Sequence, residues 1–139
     1  GAVLAAQAAG ADGAYIGSAF IATKEASAPE AYKHAIVEGH ASDIVYTNSF
    51  TGVHGNYLRP SITKAGLDPD NLPPSDPTKM SFGSGGPTDA KVWRDIWGAG
   101  QGIGAIEAVT TTAEYVTKLR AEYDAARARL GLDAALRDV

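Results

Sequence analysis

The chain contains no cysteine among its 139 residues, and that absence removes three kinds of chemistry. A disulfide framework, a thiolate metal site and a thiol nucleophile are all unavailable. Long apolar runs are lacking too. Nowhere does the sequence approach the about 20 consecutive apolar residues that cross a bilayer, so no membrane partner is expected. There is also no basic excess: 12 Lys and Arg stand against 16 Asp and Glu, a formal charge of −4. That balance offers no footprint for a phosphate backbone, so nucleic acid is not an expected partner. What is present, at 45% apolar residues, is the composition of a soluble fold, expected to be cytoplasmic.

Glycine is where the sequence becomes informative. In Trp97-Gly98-Ala99-Gly100-Gln101-Gly102-Ile103-Gly104-Ala105-Ile106, four glycines surround one amide side chain. Bare backbone N–H groups can there approach an anionic or polar guest closely. The run passes into Glu107 to Leu130, which has helical character, so those N–H groups fall near a helix start, where orphan donors and the macrodipole favour phosphate. A tight loop with close helix packing accounts for the same glycines. A second segment of this kind lies near the start, Ala9-Gly10-Ala11-Asp12-Gly13-Ala14-Tyr15-Ile16-Gly17-Ser18-Ala19-Phe20-Ile21-Ala22-Thr23. Ala14 to Ile16 reads as a short buried strand, Gly17-Ser18 as the turn at its carboxyl end, and Phe20 to Thr23 as the first turn of the next element. In a (β/α)8 barrel the loops after the last strands bind phosphate; an ordinary strand-to-helix connection has the same pattern.

The rest of the chain is punctuated by local signals. Gly1 to Ala9 is Ala-rich and helical. Ser27-Ala28-Pro29-Glu30 is a helix start, with Tyr32, Ala35, Ile36 and Gly39 on one face up to His40. Asp43 to Thr47 reads as a strand, Ser49 to Gly55 as a turn, and Arg59 to Gly66 as a short helix ended by Gly66. Leu67 to Gly86, with prolines at 69, 73, 74 and 77, reads as a long loop, a binding loop or a lid. Thr111 to Leu130 is the clearest helix, with Val116, Leu119, Tyr123 and Ala126 recurring at three- and four-residue steps and Gly131 as its stop. The expected organisation is a single incomplete domain. Residues 1–42 would be the last barrel strand and helix, 43–96 an insertion and long loop, and 97–139 the glycine-rich segment and terminal helix.

Taken in order, these segments resemble the nitronate monooxygenases, formerly 2-nitropropane dioxygenases, a family of FMN-dependent TIM-barrel flavoproteins. Gly10-Ala11-Asp12-Gly13 through Gly17-Ser18-Ala19-Phe20-Ile21-Ala22-Thr23 is similar to the family's last barrel strand and phosphate loop. Trp97-Gly98-Ala99-Gly100-Gln101-Gly102 is similar to its late small-Ala-Gly-Gln segment. Asp43-Ile44-Val45-Tyr46-Thr47 and Gly55-Asn56-Tyr57-Leu58-Arg59 are similar to the insertion and return after the last strand. The resemblance implies an α/β fold, the carboxy-terminal part of a (β/α)8 TIM barrel with a helical and loop insertion after the last strand. It implies FMN as cofactor, held by Gly17, Ser18, Gly100, Gln101 and Gly102, with no metal. It further implies a small-molecule substrate, an alkyl nitronate oxidised with molecular oxygen, and a catalytic histidine upstream of this region. His34, His40 and His54 are therefore not expected to be that base.

A barrel needs about 250 residues. This chain has 139 and opens at Gly1 within an apolar helical pattern of Val3, Leu4, Ala5 and Ala8. The expectation is a fragment, inactive alone, whose partner is the missing amino-terminal part of the barrel. Two other functions stay open. One keeps the fold and uses a nicotinamide donor to reduce enoyl or ring-ketone thioesters, with the Asp43-to-Gly86 insertion suiting a bulky substrate. The other is a non-catalytic module that holds a phosphorylated ligand through Gly17-Ser18 and Gly100-Gln101-Gly102.

Single residues carry paired readings. Gln101 bonds a flavin or phosphate oxygen, or caps the adjoining helix. Ser18 donates its hydroxyl to phosphate, or is a turn serine. Asp12 closes a turn, and His34 sits on a solvated helix face. His54 belongs to the turn or touches substrate. Arg59 pairs an anionic substrate group or a surface carboxylate. Trp93 and Trp97 pack the loop.

Overall fold

A computed structural model describes residues 1–75 and 92–132, with side chains at 92 and 93 excepted. The chain forms two compact units. One comprises Gly1–Ile16, Thr23–Glu25 and Thr110–Val139, and the other Gly17–Ala22 and Ala26–Val109.

In the first unit, helix α1 (Ala2–Ala8) meets the long helix α6 (Thr112–Arg129). Leu4 and Ala126 are buried, and the Tyr123 hydroxyl donates to Gln7 Oε1 at 2.9 Å. The start of α6 is fixed twice over. Thr111 Oγ1 accepts from the Glu114 N–H at 3.2 Å, while Glu114 Oε2 takes the Thr111 N–H at 2.7 Å, a reciprocal capping box. From a distant loop, both oxygens of Glu25 lie 3.0 and 3.1 Å from the Thr112 N–H. Hydrogen bonds from the Thr112 backbone hold the Glu25 carboxyl below the usual range, and the Thr111 backbone bond does the same for Glu114. Gly131, at φ +70°, ends the helix in a conformation that only glycine adopts readily. Thr23 and Thr110 form an isolated parallel bridge, closed by the Lys24 N–H to the Thr110 carbonyl at 2.8 Å.

The reading of Ala14 to Ile16 as a buried strand is corrected. The segment belongs to no strand, and Tyr15 is 102% exposed. A strand is defined by its neighbour's ladder, and among the described residues the single sheet pairs two other segments. A run such as Ala-Tyr-Ile supplies the side chains of a strand without supplying its partner.

The second unit is built on that sheet. Strands β1 (Ile44–Thr47) and β2 (Gly55–Leu58) form an antiparallel hairpin in the register Ile44↔Leu58, Val45↔Tyr57, Tyr46↔Asn56 and Thr47↔Gly55. β-Branched and aromatic residues favour this pleated surface. Trp97 to Ala99 runs along the free edge of β2. The Leu58 N–H donates to the Trp97 carbonyl at 2.7 Å and the Ala99 N–H to the Asn56 carbonyl at 3.3 Å, with Tyr57 opposite Gly98. Around this core stand α2 (Ser18–Ile21), α3 (Glu30–Glu38), α4 (Arg59–Lys64), α5 (Val92–Asp95) and a 3-10 turn, Gln101–Ala105. Helix α3 is flanked by Pro29 without a side-chain cap, so the Ser27 hydroxyl does not play that part. Gly66, at φ +79°, follows α4 as its stop.

Two apolar clusters hold the unit together. Ala22, Ile36, Leu58, Trp97, Ala99 and Ile103 form the first, and Phe50, Tyr57, Ile62 and Ile96 the second. Ile36, Leu58, Ile62 and Ile103 are completely buried, each contributing about 1.5–3 kcal/mol by removal from water. Ser61 joins strand, helix and edge segment: its buried Oγ donates to the Leu58 carbonyl at 2.7 Å and accepts from the Trp97 N–H at 3.0 Å. No helix among the described residues is long and apolar enough to cross a membrane.

Candidate functional site

Two segments read separately from the sequence meet in the second unit. Gly17 stands just before α2, whose first residue is Ser18. Gly100 stands just before the 3-10 turn that Gln101 opens. The Gly100 N–H donates to Ser18 Oγ at 2.9 Å, joining residues 82 positions apart. Because that oxygen is used as an acceptor, the hydroxyl hydrogen of Ser18 is left to point elsewhere. A Cβ built on Gly17 or Gly102 meets nothing within 4 Å, and one on Gly100 comes only to 3.7 Å from Ser18 Oγ. The space in front of these residues is open.

Gln101 and Gly102 are exposed beside this bond. No side-chain cap is made at the start of the 3-10 turn, and α6 begins at Thr112 under its own box. The capping role weighed for Gln101 on the following helix is therefore taken by Thr111 and Glu25. The helix begins later than the glycines because Ile106 is extended, at φ −103° and ψ 104°.

The edge segment that presents Gly100 is gripped from several sides. Trp97 is buried and stacks on Tyr32 at 5.1 Å with the rings 12° apart, and the Lys64 ammonium lies 5.5 Å from its ring centre. The Tyr32 hydroxyl donates to the Gly98 carbonyl. Burial pushes the Tyr32 phenol above its ordinary range, so the hydroxyl stays protonated and donating near neutral pH. The spacing along α3 places Tyr32 on its packed face, but its bond to Gly98 and the bond of Ser61 to Trp97 have no signal in the sequence, because their partners lie 66 and 36 residues away.

The remaining candidates separate from this cluster. Arg59 pairs with the exposed carboxylate of Asp70 at 2.8 Å; the Asp70 contact raises the guanidinium further and lowers the carboxyl. His54 is exposed and stacks on Tyr46 at 4.9 Å. His34 is exposed on α3, along an open cavity of about 520 Å³ that Glu38, Asp43, Lys64 and Trp97 also line. Carboxylates and an ammonium there share one groove, and Asp43 Oδ2 already accepts the His40 N–H at 2.8 Å. Asp12 lies in an exposed bend. The loop read from Leu67 to Gly86 has no helix or strand through Ser75, and its remainder lies outside the described residues, as does the Trp93 side chain.

Among models of protein families, the one described as nitronate monooxygenase matches residues 1–122. Searches of curated proteins and of solved structures return no match.

Proposed function

The chain belongs to the nitronate monooxygenase family, and from that premise we propose that it is the FMN-holding, carboxy-terminal part of a TIM-barrel oxidoreductase. Members of this family are oxidoreductases of TIM-barrel fold and generally flavin-dependent. The proposed reaction is oxidation of an alkyl nitronate by molecular oxygen to a carbonyl compound and nitrite. Bound FMN supplies the redox chemistry, and a histidine outside this chain serves as base.

The observation that carries this reading is the Ser18–Gly100 hydrogen bond. It unites two small-residue turns into one open cradle, with a spare hydroxyl proton and clear space at Gly17 and Gly102. A phosphate fits there chemically, since a hydroxyl and exposed backbone amides donate to its oxygens without adding charge. Ser18 would hold the phosphate, Gly17, Gly100 and Gly102 would keep side chains out of its way, and Gln101 would add a neutral polar contact.

The test is made on the intact protein. Its visible spectrum should show oxidised flavin, and aerobic propane-2-nitronate should yield nitrite with oxygen consumption. Reduction of enoyl thioesters by a nicotinamide donor without nitrite release would replace the reaction. A flavin-free protein that binds phosphorylated ligands would replace the enzyme with a binding module.

A further inference from the structure

We propose that Tyr32 is the positioning residue of the Ser18–Gly100 cradle, setting the Gly100 amide against Ser18 by holding the two residues that lead into it. The proposal rests on the reading of the cradle as the phosphate site of the cofactor. Its structural core is independent of any ligand.

The clamp starts at the edge of β2. The bonds Leu58 N–H to Trp97 carbonyl and Ala99 N–H to Asn56 carbonyl flank the facing residues Tyr57 and Gly98. In an antiparallel ladder, such a facing pair directs its own N–H and carbonyl groups away from the partner strand. The Gly98 carbonyl therefore points off the sheet edge, where the Tyr32 hydroxyl meets it. The same side chain lays its ring on Trp97, the preceding residue, at 5.1 Å. Thus one residue of α3 grips two consecutive residues by two different forces. Gly100, two positions on, then reaches Ser18 Oγ at 2.9 Å. Because Gly98 and Gly100 lack Cβ atoms, the backbone between them has little stiffness of its own. Its geometry depends on what is clamped at either end. Ser61 and the β2 bonds fix Trp97 and Ala99 from the sheet side, and Tyr32 completes the hold from the other.

Tyr32→Phe keeps the stacking ring and deletes the donor, which isolates the Gly98 bond. Two readouts are taken on the intact apo-protein. Amide exchange at Gly100 should quicken about tenfold, while the Ala65 amide inside the neighbouring helix turn stays as it was. FMN affinity should fall about three- to tenfold, the loss expected for one neutral hydrogen bond, with riboflavin affinity unchanged. In a Ser18→Ala background the same Tyr32 change should have no further effect on FMN, because its action runs through the cradle. Unchanged Gly100 exchange, or an equal FMN loss in both backgrounds, overturns the positioning role. Wild-type protein that holds FMN and riboflavin equally well contradicts the phosphate reading instead, and faster Gly100 exchange still supports the clamp. If Tyr32→Phe does not fold, 3,5-difluorotyrosine at position 32 serves. Gly100 exchange that rises relative to Ala65 as the acidified phenol ionises supports the clamp, and exchange indifferent to that ionisation overturns it.

Discussion

Replacing Gly39 by Ala should destabilise the second unit and disturb the cradle from behind. Gly39 follows α3 with φ −83° and ψ 157°, an extended conformation open to any residue, so backbone strain is not the cause. The obstacle is space. An added Cβ would lie 2.7 Å from the Ala35 carbonyl oxygen and 2.8 Å from Ile103 Cδ1. The first contact is with backbone at the end of α3, and the second is with a side chain that is completely buried in the main apolar cluster. Neither can give way without moving its neighbours. Overpacking of this kind costs about 1–3 kcal/mol, and the lost flexibility of the unfolded chain returns about 0.4–1 kcal/mol. The net expectation is about 1–2 kcal/mol of lost stability, a fall in Tm of about 3–8 °C. Urea unfolding of the intact protein measures it. Adding Ile103→Val removes the offending methyl and should recover part of the loss, since only the Ala35 contact then remains. Because Ile103 lies two residues after Gln101, FMN affinity should weaken in the single variant and improve in the double. A Gly39→Ala protein as stable as wild type would refute the packing argument.

Ser61→Ala should cost about 1–3 kcal/mol by leaving the Trp97 N–H without its partner in the interior, measured by the shift of the urea midpoint. The two carboxylates at the start of α6 give a pH dependence of definite sign. Both Glu25 and Glu114 have lowered values in the folded chain. Their contribution is therefore present above the ordinary glutamate range and is lost as pH falls through their lowered folded values. Helicity followed by circular dichroism should accordingly decline on acidification below the ordinary glutamate range, more gently in Glu25→Gln. An unchanged acid profile in that variant would remove Glu25 from the cap. Arg59→Ala should leave nitrite release unchanged, because its guanidinium faces Asp70; a large loss of activity would return it to the substrate.

What the sequence made legible was local. Helix α6 was read from the spacing of Val116, Leu119, Tyr123 and Ala126 with Gly131 as its stop, and α4 from Gly66, because left-handed stops act within one turn. Strand β1 was readable from its β-branched residues, whereas β2, a Gly-Asn-Tyr-Leu run, was not read as its partner. Packing of Trp97 was readable from its type, and the buried face of α3 from the spacing of Tyr32, Ala35 and Ile36. The failures were non-local. Ala14 to Ile16 carries strand-forming side chains, yet its conformation depends on a ladder partner that no spacing reveals. The grip of Tyr32 on Gly98 and of Ser61 on Trp97 spans dozens of residues, and a helical tyrosine or a serine near a helix start looks ordinary in sequence. The meeting of Ser18 with Gly100 was reachable only through the family resemblance, since composition and periodicity say nothing about which two turns come together.

FMN titration of the intact apo-protein, wild type against a Gly17→Val, Ser18→Leu double variant, tests the central claim that this turn holds the cofactor's phosphate. Both substitutions fill the open side of the cradle, and the second also removes its hydroxyl donor. Loss of a charge-assisted bond costs about 1.5–3 kcal/mol, or about 10- to 100-fold in Kd. The expected result is at least a tenfold weaker FMN complex, with thermal stability of the apo-protein preserved. Stoichiometric FMN retained by the double variant at wild-type affinity would contradict that claim.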